Sequence, residues 1–270
     1  MRPGDARVDF ALGAGAAAAI AAAAYRARSL DRSGALAAFA VGTATFGGLG
    51  LRGASVLLAF FVSSVALSRV GKARKRVVLA DVDKTGARDA AQVLANGGVA
   101  AACALAARFV DERFALAFAG AFAAAAADTW GTEVGTLVRQ PPRSILTFAP
   151  VATGLSGGVT PAGTLAEVAG ALFVATVGTL VAPRGLGPAF AGGIAGAFAD
   201  SLLGASLQSL RWCPACKRPT ERDVHGCGTE TTTFRGLPWF GNDAVNFAAT
   251  TVGAVTTLIF DSAGNPESPF

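Results

Sequence analysis

The chain is a succession of apolar runs, each about as long as a bilayer is thick, separated by short charged punctuation. About 20 apolar residues span the hydrocarbon core as a helix. The runs predict helices at 8–25, 34–51, 53–70, 90–107, 114–138, 163–182, 187–209 and 242–260. The expected fold class is all-α: a polytopic transmembrane bundle of about eight helices. It is read as one integral-membrane domain over residues 1–270, with a small loop at 210–238 inserted between the last two helices. Only 15% of the residues are charged, whereas a soluble domain carries about 25%. Disorder is excluded by the 52% hydrophobic content, and four cysteines in 270 residues are too sparse for a disulfide scaffold.

The first run, FALGAGAAAAIAAAAY, has the small residues of a signal-peptide cleavage site. Its cationic cluster (Arg26, Arg28, Arg32) follows the apolar stretch instead of preceding it, which favours a retained helix. With the N-terminus outside, 17 of the 23 lysines and arginines fall in inner segments, among them Arg69 to Arg88 and Arg211 to Arg235. That asymmetry predicts a multi-pass protein of the cell membrane with both termini outside. It also accounts for the net charge of +5 without nucleic acid as a partner. Glycines such as Gly131/Gly135 and Gly193/Gly196 are read as close-packing contacts.

Acids inside apolar spans are costly and mark function by default. Asp128 and Glu133 lie in AAAAADTWGTEVG, Asp200 in GIAGAFADSLLGASLQ, and Glu167 in GTLAEVAG. Asp128 shares a helical stripe with Gly131, Thr132 and Gly135, while Thr129 and Glu133 occupy the neighbouring one. A further stripe joins Asp200 to Gln208 on the seventh helix. Asn242, Asp243 and Asn246 open the eighth helix, and Gln92 and Asn96 open the fourth, all at the expected cytoplasmic depth. Capping explains Asn242 equally well. Carboxylates and amides at a membrane surface suit Mg²⁺, a hard cation that bridges phosphates; Asp128, Asp200 and Asp243 are its expected ligands. The loop PVATGLSGGVTPAGT, with Ser156, Gly157, Gly158 and Thr164, could turn backbone N–H groups toward phosphate oxygens. The basic run GKARKRVV is read as topology and lipid contact, with Lys72 its one candidate for the site.

Cys213, Cys216, His225 and Cys227 lie together in CPACKRPTERDVHGCG. A CxxC hairpin followed by H-x-C supplies the four ligands of a tetrahedral Zn²⁺. Four protein ligands leave no open position, so this zinc is expected to be structural.

The strings DRSGALAAFAVG, SSVALSRVGKARK, RDAAQVLANGGVA, AADTWGTEVG, GLSGGVTPAGTLA, ADSLLGASLQ, CPAC…HGCG and NDAVNFAATTVGA run in order from about residue 31 to 260. Together they resemble the integral-membrane family catalogued as a domain of unknown function, number ninety-two, which includes a plant phytyl-phosphate kinase. Glu167 departs from the small residue expected there and is held out of the catalytic set. The family is distantly similar to the CTP-dependent polyprenol and dolichol kinases. The resemblance implies a transferase that moves the γ-phosphate of CTP or another nucleoside triphosphate to a prenyl monophosphate. Asp128, Glu133, Asp200 and Asp243 would be catalytic. Lys72, Gln92, Asn96, Thr129, Thr132, Ser156, Gly157, Gly158, Thr164, Ser201, Gln208, Asn242 and Asn246 would bind substrate or nucleotide. The partners implied are the bilayer, the prenyl phosphate and the nucleotide. A transporter or flippase of a lipid phosphate is the alternative, and prenyl length, nucleotide and homo-oligomer formation stay open.

Overall fold

The computed structural model describes residues 3–78 and 86–264. Arg2 and Lys84, which enter the charge asymmetry, lie outside them, as do the side chains of Arg7 and Arg76. Eight helices follow one another: α1 (Pro3–Arg26), α2 (Arg32–Arg69), α3 (Lys72–Val78), α4 (Ala90–Phe109), α5 (Phe114–Gly135), α6 (Pro161–Gly178), α7 (Leu186–Ser206) and α8 (Asn242–Gly264). Seven are long and apolar enough to cross a membrane; α3 is the exception among them.

The helices expected at 34–51 and 53–70 are the two limbs of α2. Its 38 residues break at Gly50, whose φ of 61° and ψ of −152° leave the helical region. Contacts show that the chain reverses there. Gly97 of α4 lies between Val41 and Phe122, and the Phe122 ring packs at a tilt against Phe60, with centroids 5.4 Å apart. Val41 and Phe60, on opposite sides of the break, therefore sit at one depth. Glycine supplies the positive φ this reversal needs.

The centre of the bundle is α5, in which every residue from Ala117 to Ala127 is buried. In lipid, helices associate by close packing instead of by escape from water. The alanine run lets α4, α6, α7 and α8 approach α5 closely, as expected of the small residues. A Cβ on Gly193 would meet Ala123 and Ala171, and one on Gly196 would meet Ala124 and the Ala249 carbonyl.

The loops place polar ends at one face. Asp31 caps α2 by accepting from the Gly34 N–H at 2.7 Å. Asp89 and Gln92 form a capping box on α4, and Thr160 caps α6 with Pro161 behind it. At the same face β1 (Arg143–Ser144) pairs antiparallel with β2 (Gly158–Val159). Between α7 and α8, β3 (Leu210–Cys213) is flanked by β4 (Arg218–Thr220) and β5 (Thr232–Arg235), both antiparallel.

Candidate functional site

A cavity of about 320 Å³ opens at the loop face. Five acids line it: Asp128 and Glu133 from α5, Glu167 from α6, Asp200 from α7, and Glu221 just after β4. Gln92 and Asn96 of α4, Asn242 and Asn246 of α8, and Thr129, Thr132, Ser156, Gly157, Gly158 and Ser201 line it too. The side chains of Asp128 and Asp200 come within hydrogen-bonding reach of each other. Asp200 Oδ2 is buried yet accepts no hydrogen bond from the described residues. A buried carboxylate oxygen without a donor is costly unless a cation or a proton fills the gap.

Basic groups frame this acidic centre. Arg88 is the one lysine or arginine among the described residues lining the cavity. Its backbone is fixed by a bridge to Leu30, with its carbonyl accepting from the Asp31 N–H at 3.0 Å. Burial lowers the pKa of its guanidinium, and Glu133 opposes that shift. Glu133 forms a short ion pair with Lys75, whose Nζ also donates to the Leu67 carbonyl at 2.9 Å.

Several expected positions fall outside the cavity lining. Lys72 is exposed and does not line the cavity; the buried lysine of that run is Lys75, three residues along α3. Thr164 is also exposed. Because α6 begins at Pro161, Gly163 and Glu167 share the face that meets Gly131 and Gly135, and Thr164 is rotated away. Gln208 lies beyond the end of α7 and outside the cavity, with its Nε2 donating to Glu221 Oε2 at 2.8 Å. On α8 it is Asn242 and Asn246, at i and i+4, that line the cavity, and Asp243 falls outside the lining. Glu167, held out of the catalytic set, lines it instead.

The small-residue loop is held differently from expectation. Gly157 has φ of 78° and packs so tightly on α7 that a Cβ would meet the Ala205 backbone nitrogen at 2.5 Å. The Ser156 N–H donates to Glu221 Oε1 at 2.8 Å and the Gly158 N–H to the Leu155 carbonyl at 3.1 Å. These two N–H groups hold the loop in place and are not turned toward a ligand. Glu221, Arg88 and Lys75 are the members that sequence reading missed. Arg88 and Lys75 sat in a basic run taken for topology, and Glu221 carried no periodic signal at all.

The cysteine loop assembles as expected. One ligand atom from each of Cys213, Cys216, His225 and Cys227 falls within 4.8 Å of the others. Cys213 Sγ and Cys227 Sγ are 3.7 Å apart, the edge of a tetrahedron with metal–sulfur bonds of about 2.3 Å. His225 Nδ1 lies 3.1 Å from Cys227 Sγ. Hydrogen bonds with Thr229, then with His225, hold the Cys227 thiol down at about 6, whereas its contact with Cys227 raises the Cys216 thiol. The four side chains can hold a metal such as zinc. The cluster sits at the β3–β4 turn, and β4 leads directly into Glu221.

The model of the integral membrane protein family DUF92 matches residues 15–254. Protein PGR of Arabidopsis thaliana is 33% identical over 222 residues, covering 72% of this chain and 76% of the relative. An uncharacterized membrane protein of Methanocaldococcus jannaschii is 38% identical over 144 residues, 53% of this chain and 59% of its own length. Another from Synechocystis is 29% identical over 200 residues, 72% and 67%. No solved structure matches. A match over nearly the whole chain, from α1 into α8, leaves no ambiguity of membership: the chain belongs to the DUF92 family of integral membrane proteins.

Proposed function

We propose that this protein is a prenyl-monophosphate kinase that uses CTP or another nucleoside triphosphate, working at the cytoplasmic face of the cell membrane. The observation that carries the reading is one cavity with two chemistries. Five acids, four amides and an arginine line its polar part, and an apolar part is lined by α1 and by both limbs of α2. The clustering of lysine and arginine toward the loop face supports a cytoplasmic orientation.

The acid set suits Mg²⁺: oxygen donors from separate helices, with Asp200 Oδ2 buried and lacking a donor among the described residues. Asp128 and Asp200 would hold the ion. When bound, it would neutralise charge on the phosphates. The protein's own part is positioning and electrostatics, which dominate phosphoryl transfer. Arg88 is placed to bind a phosphate oxygen, and the Asn242 and Asn246 amides to orient the head groups. An oxygen of the acceptor monophosphate forms a bond to the γ-phosphorus while the bond from that phosphorus to the β–γ bridging oxygen breaks. The nucleoside diphosphate leaves with that electron pair. The acceptor oxygen is already ionised near neutral pH, so no strong base is needed. The zinc of the cysteine loop would be structural.

The test is label transfer from γ-labelled nucleotides to prenyl phosphates by the purified protein. Transfer is expected with at least one nucleotide. Asp128→Asn and Asp200→Asn should each lower turnover by about 10²-fold or more. Normal turnover in both variants would overturn the mechanism. Prenyl phosphate binding without turnover under any nucleotide would make the protein a lipid-phosphate transporter or flippase instead.

A further inference from the structure

The geometry points to the apolar limb of the cavity as the binding subsite for the prenyl tail, with Phe46 as the floor that sets the longest tail accepted. This inference rests on the proposed function.

The limb runs down the small-residue face of α1, from Ala24 near the polar mouth through Ala21 and Ala17 to Gly13. Eleven residue steps at 1.5 Å per residue give a length of about 16 Å. That matches an extended tail of farnesyl to geranylgeranyl size and falls far short of a polyprenyl chain. At its deep end the Phe46 side chain lies so close to Gly13 that a Cβ there would meet Phe46 Cβ at 2.7 Å. Ala54, just past the Gly50 reversal, lines the same end. The reversal is what closes the limb, because it turns α2 back before its first limb extends further.

The occupant is argued from continuity. The limb and the acidic mouth are one cavity, so a molecule that fills both has a phosphate head and a hydrocarbon tail. The route in is lateral. α1 packs on α2 and is tied to α4 at its outer end by the Asp9–Arg108 ion pair and the Phe10–Phe109 stack. Ala16 and Ile20, which line the limb, are exposed, so the limb is open along α1. A tail can therefore slide in from the bilayer without crossing water.

Two variants and one probe test this. Phe46→Ala deepens the floor, and Ala16→Phe narrows the limb from an exposed position that carries no core packing. The ratio of kcat/KM for geranylgeranyl over geranyl phosphate should rise about tenfold in Phe46→Ala and fall about tenfold in Ala16→Phe. A farnesyl phosphate with a diazirine at the end of its tail should label α1 between Gly13 and Ile20, or Phe46. Unlabelled farnesyl phosphate should block the labelling, and phosphatidylglycerol should not. Unchanged ratios in folded variants, labelling confined to other helices, or equal protection by phosphatidylglycerol would each overturn the tail subsite while wild-type turnover left the kinase reading intact. Wild-type protein that neither phosphorylates nor binds any prenyl phosphate would remove both.

Discussion

Glu221 is the position where the cysteine loop acts on the cavity, and its removal has a calculable effect. Its carboxylate accepts from the Ser156 N–H and from Gln208 Nε2, each at 2.8 Å. A hydrogen bond to a charged group contributes about 1.5–3 kcal/mol, so these two together contribute about 3–6 kcal/mol. Glu221 is half-buried, and it also faces Asp200 with like charge. Solvent screening and relief of that repulsion bring the expected loss in Glu221→Ala to about 2–3 kcal/mol. The loss is local, because Glu221 holds the 151–160 loop and no helix. Amide exchange at Ser156 should therefore speed up by about 30- to 150-fold, with the α5 amides unchanged. A metal held by the four side chains would fix the β3–β4 turn that delivers Glu221, so chelation should speed Ser156 exchange in the native protein. In the Glu221→Ala background it should add little, since the strut is already gone. Equal acceleration by chelation in both backgrounds would refute the claim that the cysteine loop acts through Glu221.

Lys75→Met removes the ion-pair partner of the part-buried Glu133, which keeps only the nearby Arg88, and should cost about 1.5–3 kcal/mol in thermal unfolding, most of it recovered when Glu133→Gln is added. Metal analysis should return about one zinc per chain. Cys213→Ser with Cys216→Ser should lower thermal stability, because structural metal binding contributes folding free energy. Thiolate and imidazole ligands bind metal only when deprotonated, so zinc retention on dialysis should fall as the pH is lowered, because protons compete for Cys213, Cys216, His225 and Cys227. Label transfer should be nearly normal in Asp243→Asn and reduced about tenfold or more in Glu167→Gln, the reverse of the order expected from sequence alone.

Much of this architecture is legible in the sequence, for one physical reason. A bilayer demands long apolar helices, so every polar residue within them is conspicuous. Asp128, Asp200, Gln92 and Asn96 stand out on that ground, and the structure brings all four to one cavity. The CxxC…HxC spacing carries a geometry of its own, and the four side chains meet. What escaped depends on rotation about a helix or on a loop. Asp243 differs from Asn242 by one residue, which is 100° of turn, and capping does not say which of them faces inward. Thr164 was misplaced because α6 starts at Pro161 and not at Gly163. Lys75 was indistinguishable from its neighbours in a basic run, because its partner Glu133 lies 58 residues away. Glu221 reaches the cavity through the path of the cysteine-bearing β3–β4 hairpin, which no periodicity encodes.

The charges in the cavity constrain what can enter it. Lys75 pairs with Glu133 and Arg88 faces the same acid, while Asp128, Glu167 and Glu221 each oppose Asp200 with like charge. At an effective dielectric of about 20, two unit charges 5 Å apart interact by about 3 kcal/mol. A bare phosphate approaching several carboxylates would thus meet a barrier larger than one arginine can offset. A divalent cation reverses the sign, since each carboxylate that repels phosphate attracts the ion. If the cavity takes phosphates as proposed, they should therefore enter together with the ion, as a complex whose charge the acids accept. The same reasoning explains why the loop around Ser156 can use its N–H groups for its own support. With a cation between acids and phosphates, the backbone need not supply the positive potential.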